Sequence, residues 1–176
     1  PCYDWLHQFP GYGQSTFRMS TQMDTNASEW DKKYCEKGWF ARSMPDLNQA
    51  NPLVLNYLTQ NAIWWIEYAD LDGLRVDTYS YNDKEGIAKW TKAITDEYPH
   101  FNIMGEVWLN QSAQVSYWQK DSPISAIQSY NTYLPTVMDF PLFNAIGEAF
   151  RSTPSWDKGM IQLYDNFTND FLYKDI

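Results

Sequence analysis

Strands and helices alternate along this chain, and that alternation limits the fold more than any other feature. From Asn51, apolar residues recur at helical spacing through Leu53, Leu55, Leu58, Ala62, Trp65, Ile66 and Ala69. Asn51 suits an N-cap, and Pro52 suits the first helical position. Segment 71–77, Leu-Asp-Gly-Leu-Arg-Val-Asp, reads as a strand. A second helix is expected over 83–97, carrying Ile87, Trp90, Ala93 and Ile94 and stopped by Pro99. A second strand is expected over 102–108, a weaker helix over 112–119 and a third, shorter strand over 136–140. Helices are expected again over 142–150 and 158–171. Strands roughly thirty residues apart with helices between them form the βαβ rhythm of a parallel sheet.

Three strands do not close a barrel. A (β/α)8 barrel takes about 250 residues, and this chain has 176. The choice lies between a small open α/β sheet and a slice of a barrel. Residues 1–50 have no long period and read as an irregular, loop-rich segment, with one short amphipathic turn at 28–37. No segment resembles a signal peptide, and no apolar run approaches the roughly 20 residues that span a bilayer. The chain starts without Met and ends in mid-pattern, so it reads as part of a longer polypeptide.

Composition narrows the partners. Lys+Arg is 13 against Asp+Glu 22, a net charge of −9, which argues against nucleic acid and anionic membranes. Aromatic residues make up 18% of the chain, too many for disorder and enough to line a binding cleft as well as a core. Cys2 and Cys35 exclude a disulfide-rich scaffold, while leaving one bridge or two thiols open.

The chemistry concentrates at two strand ends. Side chains alternate along a strand, so Leu74 and Val76 share the face that packs under helices, and Arg75 and Asp77 share the other. On the next strand Met104, Glu106 and Trp108 share a face. If the two strands are parallel neighbours, about 4.8 Å apart, Asp77 and Glu106 stand side by side at one rim. Retaining glycosidases need two carboxyl groups about 5–5.5 Å apart, one a nucleophile and one an acid/base. Arg75 favours an ionised Asp77, whereas Glu106 lies beside Met104 and Trp108 with no cation in its motif, a setting that favours the protonated acid. A structural ion pair at a strand end and a lone exposed Glu are the alternatives.

These motifs resemble those of the α-amylase family of glycoside hydrolases. Gly73-Leu74-Arg75-Val76-Asp77 is similar to its nucleophile motif and Gly105-Glu106-Val107-Trp108 to its acid/base motif. Met44-Pro45-Asp46-Leu47-Asn48 is similar to the short signature of the neopullulanase and cyclomaltodextrinase branch, and 60–73 resembles the same branch. The resemblance implies a partial (β/α)8 TIM barrel, with about strands 4 to 6 and their helices in 51–176. Residues 1–50 would then belong to the domain B-like excursion after strand three. It implies Asp77 as nucleophile, Arg75 as its positioning partner and Glu106 as general acid/base. Trp108 would form a sugar platform or wall, and Tyr79 and Tyr81 would be substrate contacts.

The implied activity is retaining hydrolysis of α-glucans such as starch oligosaccharides, cyclodextrins or pullulan. A glucanotransferase or a non-catalytic glucan-binding protein of the same fold is the alternative. Two departures stand out. The family's Asn-His-Asp motif and its strand-three residues have no counterpart among 1–176. The Lys-His that often follows the nucleophile is Ser80-Tyr81 here.

The remaining expectations are more general. No cofactor is required, and calcium stays open through Asp24 and Asp31, although their spacing is not that of an EF-hand. His7 and His100 form no metal set. Asp46 and Asn48 are read as loop organisers, and Asp139 as a hydrogen-bonding residue of the strand-to-helix turn, with the lining of a subsite as the alternative. Trp5, Trp30 and Trp39 are read as sugar platforms or loop packing, with packing the commoner fate. A partial barrel has unpaired edges, so self-association of the segment is expected. A periplasmic or extracellular compartment is favoured over the cytoplasm.

Overall fold

The computed structural model describes residues 4–174. In chain order the elements are α1 (Glu29–Lys37), α2 (Pro52–Ala69), β1 (Gly73–Val76), α3 (Lys84–Glu97), β2 (Asn102–Gly105), α4 (Ser112–Ser116), β3 (Thr136–Val137), α5 (Phe140–Arg151) and α6 (Ile161–Phe167). The three strands form one sheet in the order β1-β2-β3, parallel throughout. This is the arrangement expected for consecutive strands of a barrel slice.

The helices begin where their capping residues dictate. Ser28, Asn51, Asp83 and Asp139 each accept a hydrogen bond from a first-turn amide of the helix that follows, satisfying a donor with no partner inside the helix. At the far end of α2, Asp70 adopts φ 52° and stops the helix in a left-handed turn.

The strands are shorter than their patterns suggested. β1 ends at Val76, β2 at Gly105, and β3 is only two residues long. Phe140, expected in the third strand, opens α5, because Asp139 caps that helix and Pro141 lies in its first turn. The expected helix at 112–119 ends at Ser116, and that at 158–171 is regular only over 161–167, with a 3-10 turn at 170–172.

The core forms between the sheet and its helices. Ala62 and Ile66 of α2, Ile87 and Ile94 of α3 and Ile103 of β2 join Val107, Tyr117, Trp118 and Leu134, with Leu74 and Val76 packed against them. The strand face assigned to packing therefore does pack. Gly105 is required at its position: a Cβ there would lie 2.6 Å from Leu134 Cδ2 and 2.9 Å from Tyr79 Cγ. The missing side chain lets the Tyr79 ring cross the strand.

The loop-rich segment is fastened by polar side chains. The Lys84 ammonium donates to the Gln22 carbonyl and to Gln128 Oε1 (3.2 Å), and Gln128 Nε2 donates to the Met23 carbonyl (2.8 Å). Trp39 is buried and its Nε1 donates to the His7 carbonyl (2.7 Å), so this tryptophan packs the loop. Trp30 packs against Tyr34 with ring centroids 4.8 Å apart, its other side exposed. Cys35 is buried as a thiol, its pKa pushed up to about 11 by burial. The Cys2 pairing question lies outside the described residues.

Glu36 makes this junction pH-sensitive. Burial, followed by the charge of Asp83, pushes its carboxyl up from 4.5 to about 7. A raised folded-state pKa means the stabilisation belongs to the protonated form, present below the unfolded value and lost as pH rises through the folded one. Stability from this group should therefore fall between about pH 4.5 and 7. Glu36→Gln, which keeps the shape without the charge, is expected to raise the melting temperature at pH 8 more than at pH 5. Equal shifts at both pH values in thermal unfolding would contradict this.

Candidate active site

The site grows from the parallel register. Val76 pairs with Gly105, so Asp77 and Glu106 are the next residues beyond the carboxyl ends of β1 and β2. The Glu106 amide donates to the Val76 carbonyl (2.9 Å), carrying the pairing one residue past β2. On the same face, two residues before Asp77, stands Arg75.

Its guanidinium is the centre of the arrangement. One arm, Nη1, engages Asp77 Oδ1, and the other, Nη2, lies 2.9 Å from Glu106 Oε1. A planar fork of donors suits two carboxylates at once. The hydrogen bond to Asp77, with the charges of both acids, pushes the arginine further above its ordinary range. This corrects one expectation, since Glu106 does have a cation against it. The two carboxylates differ instead in exposure: the Asp77 side chain is 70% exposed and that of Glu106 14%.

Glu106 is also held by backbone. Its Oε2 accepts from the Thr78 amide (2.8 Å), and its carbonyl accepts from the Tyr79 amide (3.1 Å). Thr78 adopts φ 48°, which turns the chain back towards Glu106 immediately after the strand. No sequence signal marked this contact, because threonine has no preference for left-handed backbone.

The other expected substrate residues separate into three environments. Trp108 is 60% exposed and stacks on Phe140, with centroids 4.8 Å apart and planes 11° from parallel. Tyr81 lies edge-on to Phe40 (4.8 Å) and Phe17 (6.1 Å), and its hydroxyl is pushed up to about 12 by burial and then by the charges of Cys35 and Glu106. Tyr79 is a correction: it is fully buried, its hydroxyl paired with Thr91 Oγ1 (2.8 Å), and its ring packs edge-on to Trp118. A ring with no exposed surface belongs to the core. Phe140 beneath Trp108, and Phe17 and Phe40 beside Tyr81, were not read from the sequence.

Residues kept apart from the chemistry have structural partners. Asp139 Oδ1 accepts from the Leu142 amide (3.0 Å), the helix cap that was expected. The Asp46 carbonyl accepts from the His7 amide (2.9 Å), and the Asp46 carboxylate pairs with His7 Nδ1. Asn48 Nδ2 donates to the Asp4 carbonyl (2.8 Å). Segment 44–48 thus ties down residues 4–7, an organising role. Burial pushes the Asp46 carboxyl up, against the opposing pull of His7. Asp31 accepts from Arg18 and Ser28, and Asp24 caps a turn at Asn26. Among the described residues no three His, Cys, Asp or Glu gather as a metal site, and no helix is long and apolar enough to cross a membrane.

Comparison with known proteins adds family context. Residues 3–154 match the model of the α-amylase catalytic domain. The chain is 34% identical over 101 residues to the intracellular maltogenic amylase of Bacillus subtilis (strain 168), covering 57% of this chain and 16% of that protein. It is 32% identical over 107 residues to a cyclomaltodextrinase of Thermoanaerobacter pseudethanolicus, covering 61% of this chain and 16% of that protein. The structure superposes on an α-amylase from Geobacillus thermoleovorans, solved with acarbose, with a TM-score of 0.69 and 26% identity over 98% of this chain and 32% of that one. The chain therefore spans only a minor part of the proteins it resembles.

Proposed function

The chain belongs to the α-amylase family, and on that premise we propose that Asp77, Glu106 and Arg75 are the working groups of a retaining α-glucan hydrolase. One observation carries this reading: a single guanidinium spans two carboxylates at the carboxyl ends of adjacent parallel strands. Asp77, the more exposed acid, attacks the anomeric carbon while the leaving sugar takes a proton from Glu106. Water then enters with Glu106 acting as base, and the glycosyl group leaves Asp77 with overall retention. Arg75 orients Asp77 and keeps the two carboxylates together.

Trp108 offers a flat apolar face to the sugar, backed by Phe140, and Tyr81 offers an edge from the loop side. Residues 1–50 act as the domain B-like excursion and 51–176 as the barrel portion. The names of the relatives favour substrates of the maltogenic amylase and cyclomaltodextrinase type, starch oligosaccharides and cyclodextrins. A relative named as a cyclomaltodextrin glucanotransferase, from Klebsiella oxytoca, makes a sugar acceptor in place of water the second reading. The intracellular Bacillus relative lends no support to a periplasmic or extracellular compartment.

The 176-residue chain alone is expected to show no hydrolysis, because the family's third carboxylate, in Asn-His-Asp, is not in it. Placed within a complete catalytic domain, the segment is expected to release products of α configuration from maltotriose. Proton NMR of the first products checks this. Initial β products, or turnover by the chain alone, would sink the reading.

A further inference from the structure

The backbone that holds Glu106 is strained. Thr78 is β-branched and adopts φ 48° and ψ 36°, a left-handed conformation that is rare for such a residue. Strained backbone persists only where its surroundings over-determine it, and it clusters at functional sites. Here it directly follows Asp77, and it aims two successive amides at Glu106. The Thr78 amide reaches the side chain at Oε2 (2.8 Å), and the Tyr79 amide reaches the main-chain carbonyl (3.1 Å). Any shift of this turn therefore disturbs the Glu106 carboxyl group.

The turn is clamped by Asn82. Its Nδ2 donates to the Thr78 carbonyl (3.3 Å) and to the Tyr79 carbonyl (3.1 Å), so it grips the same two residues whose amides address Glu106. Its Oδ1 accepts from Gln49 Nε2 (2.9 Å). This arrangement calls for a primary amide: the two carbonyls need an NH₂ group, and the Gln49 donor needs an acceptor on the same head group. Asp offers no donor in its ionised form, and Ser or Thr offers only one.

Gln49 is itself immobilised. It is buried, and it packs so closely on α3 that a Cβ on Gly86 would lie 2.5 Å from Gln49 Cβ. It directly follows segment 44–48, which ties down residues 4–7. A line of contacts thus runs from the loop-rich segment through Gln49, Asn82 and the Thr78 turn to the carboxyl oxygen of Glu106.

We propose that Asn82, held by Gln49, is a positioning residue for the acid/base, keeping the Thr78–Tyr79 turn in the form that fixes the Glu106 carboxyl for proton transfer. This rests on the proposed role of Glu106. The test compares kcat/KM for maltotriose and for an activated aryl glycoside, whose leaving group needs no proton, in the complete catalytic domain carrying this segment. Asn82→Asp keeps the shape and removes the donors. It is expected to lower kcat/KM for maltotriose about tenfold, a loss that a displacement of less than about 1 Å accounts for. The loss should appear in kcat with KM within about twofold, the mark of an interaction realised in the transition state. For the aryl glycoside the fall is expected to be less than about twofold, because proton donation no longer limits the step. Gln49→Met keeps the length, removes the donor to Asn82 and is expected to show the same substrate contrast at smaller size; it decides the matter if Asn82→Asp fails to fold. Equal losses on both substrates would make Asn82 a merely structural residue, and a raised KM with unchanged kcat would make it a substrate contact; either result, or unchanged kinetics, would overturn the proposal. Glu106→Gln measured in parallel separates two failures. If it shows the substrate contrast and Asn82→Asp does not, the positioning role falls and the acid assignment stands. If Glu106→Gln shows no contrast, both fall.

Discussion

Asp77→Asn, made in an enzyme that carries this segment within a complete catalytic domain, is expected to lower kcat on the order of 10⁴-fold or more, as loss of a nucleophile does. The amide is nearly isosteric with the carboxylate and still reaches Arg75, so folding should be unaffected. What disappears is the oxygen nucleophile. Glu106→Gln should behave differently, costing about 10²–10⁴-fold on natural glycosides and much less on substrates whose leaving group needs no proton. Steady-state kinetics with maltotriose and with an activated aryl glycoside distinguish the two roles. Equal losses on both substrates for Glu106→Gln would remove its assignment as the acid.

Trp118→Ala is expected to cost about 3–5 kcal/mol, the range for deleting a large buried aromatic. The ring has no exposed surface and meets Tyr79, Tyr117 and Tyr130 edge-on, with centroids 6.3, 5.3 and 6.3 Å away. Domains of this size are stable by only about 5–15 kcal/mol, so the loss takes a large share. A fall in melting temperature of about 10 °C follows from the usual scaling, measurable by near-ultraviolet circular dichroism. Trp108→Ala provides the contrast: its ring is 60% exposed, and its removal should leave the melting temperature nearly unchanged. Comparable destabilisation by both would mean that Trp108 is a packing residue and not a free sugar platform.

The helices and the parallel order were legible because their signals are local. Asn51-Pro52 starts α2 and Asp83 starts α3 as capping chemistry requires. Alternation along β1 correctly separated Leu74 and Val76 from Arg75 and Asp77. What sequence could not supply was contact between segments. The reach of Arg75 to Glu106 depends on the β1–β2 register, which no local pattern encodes, and so Glu106 was read as having no cation. Tyr79 is among the substrate contacts that the resemblance implies. In the structure the left-handed turn at Thr78 and the bare backbone of Gly105 draw its ring into the core.

The most direct test of the central claim is mass spectrometry of the complete catalytic domain after reaction with a fluorinated α-glucosyl fluoride, which forms a slow-turnover glycosyl-enzyme. The account predicts one added glycosyl group, located by peptide mapping on Asp77 and absent in Asp77→Asn. A stable adduct on another residue, or efficient hydrolysis of α-glucans with no adduct at Asp77, would contradict it.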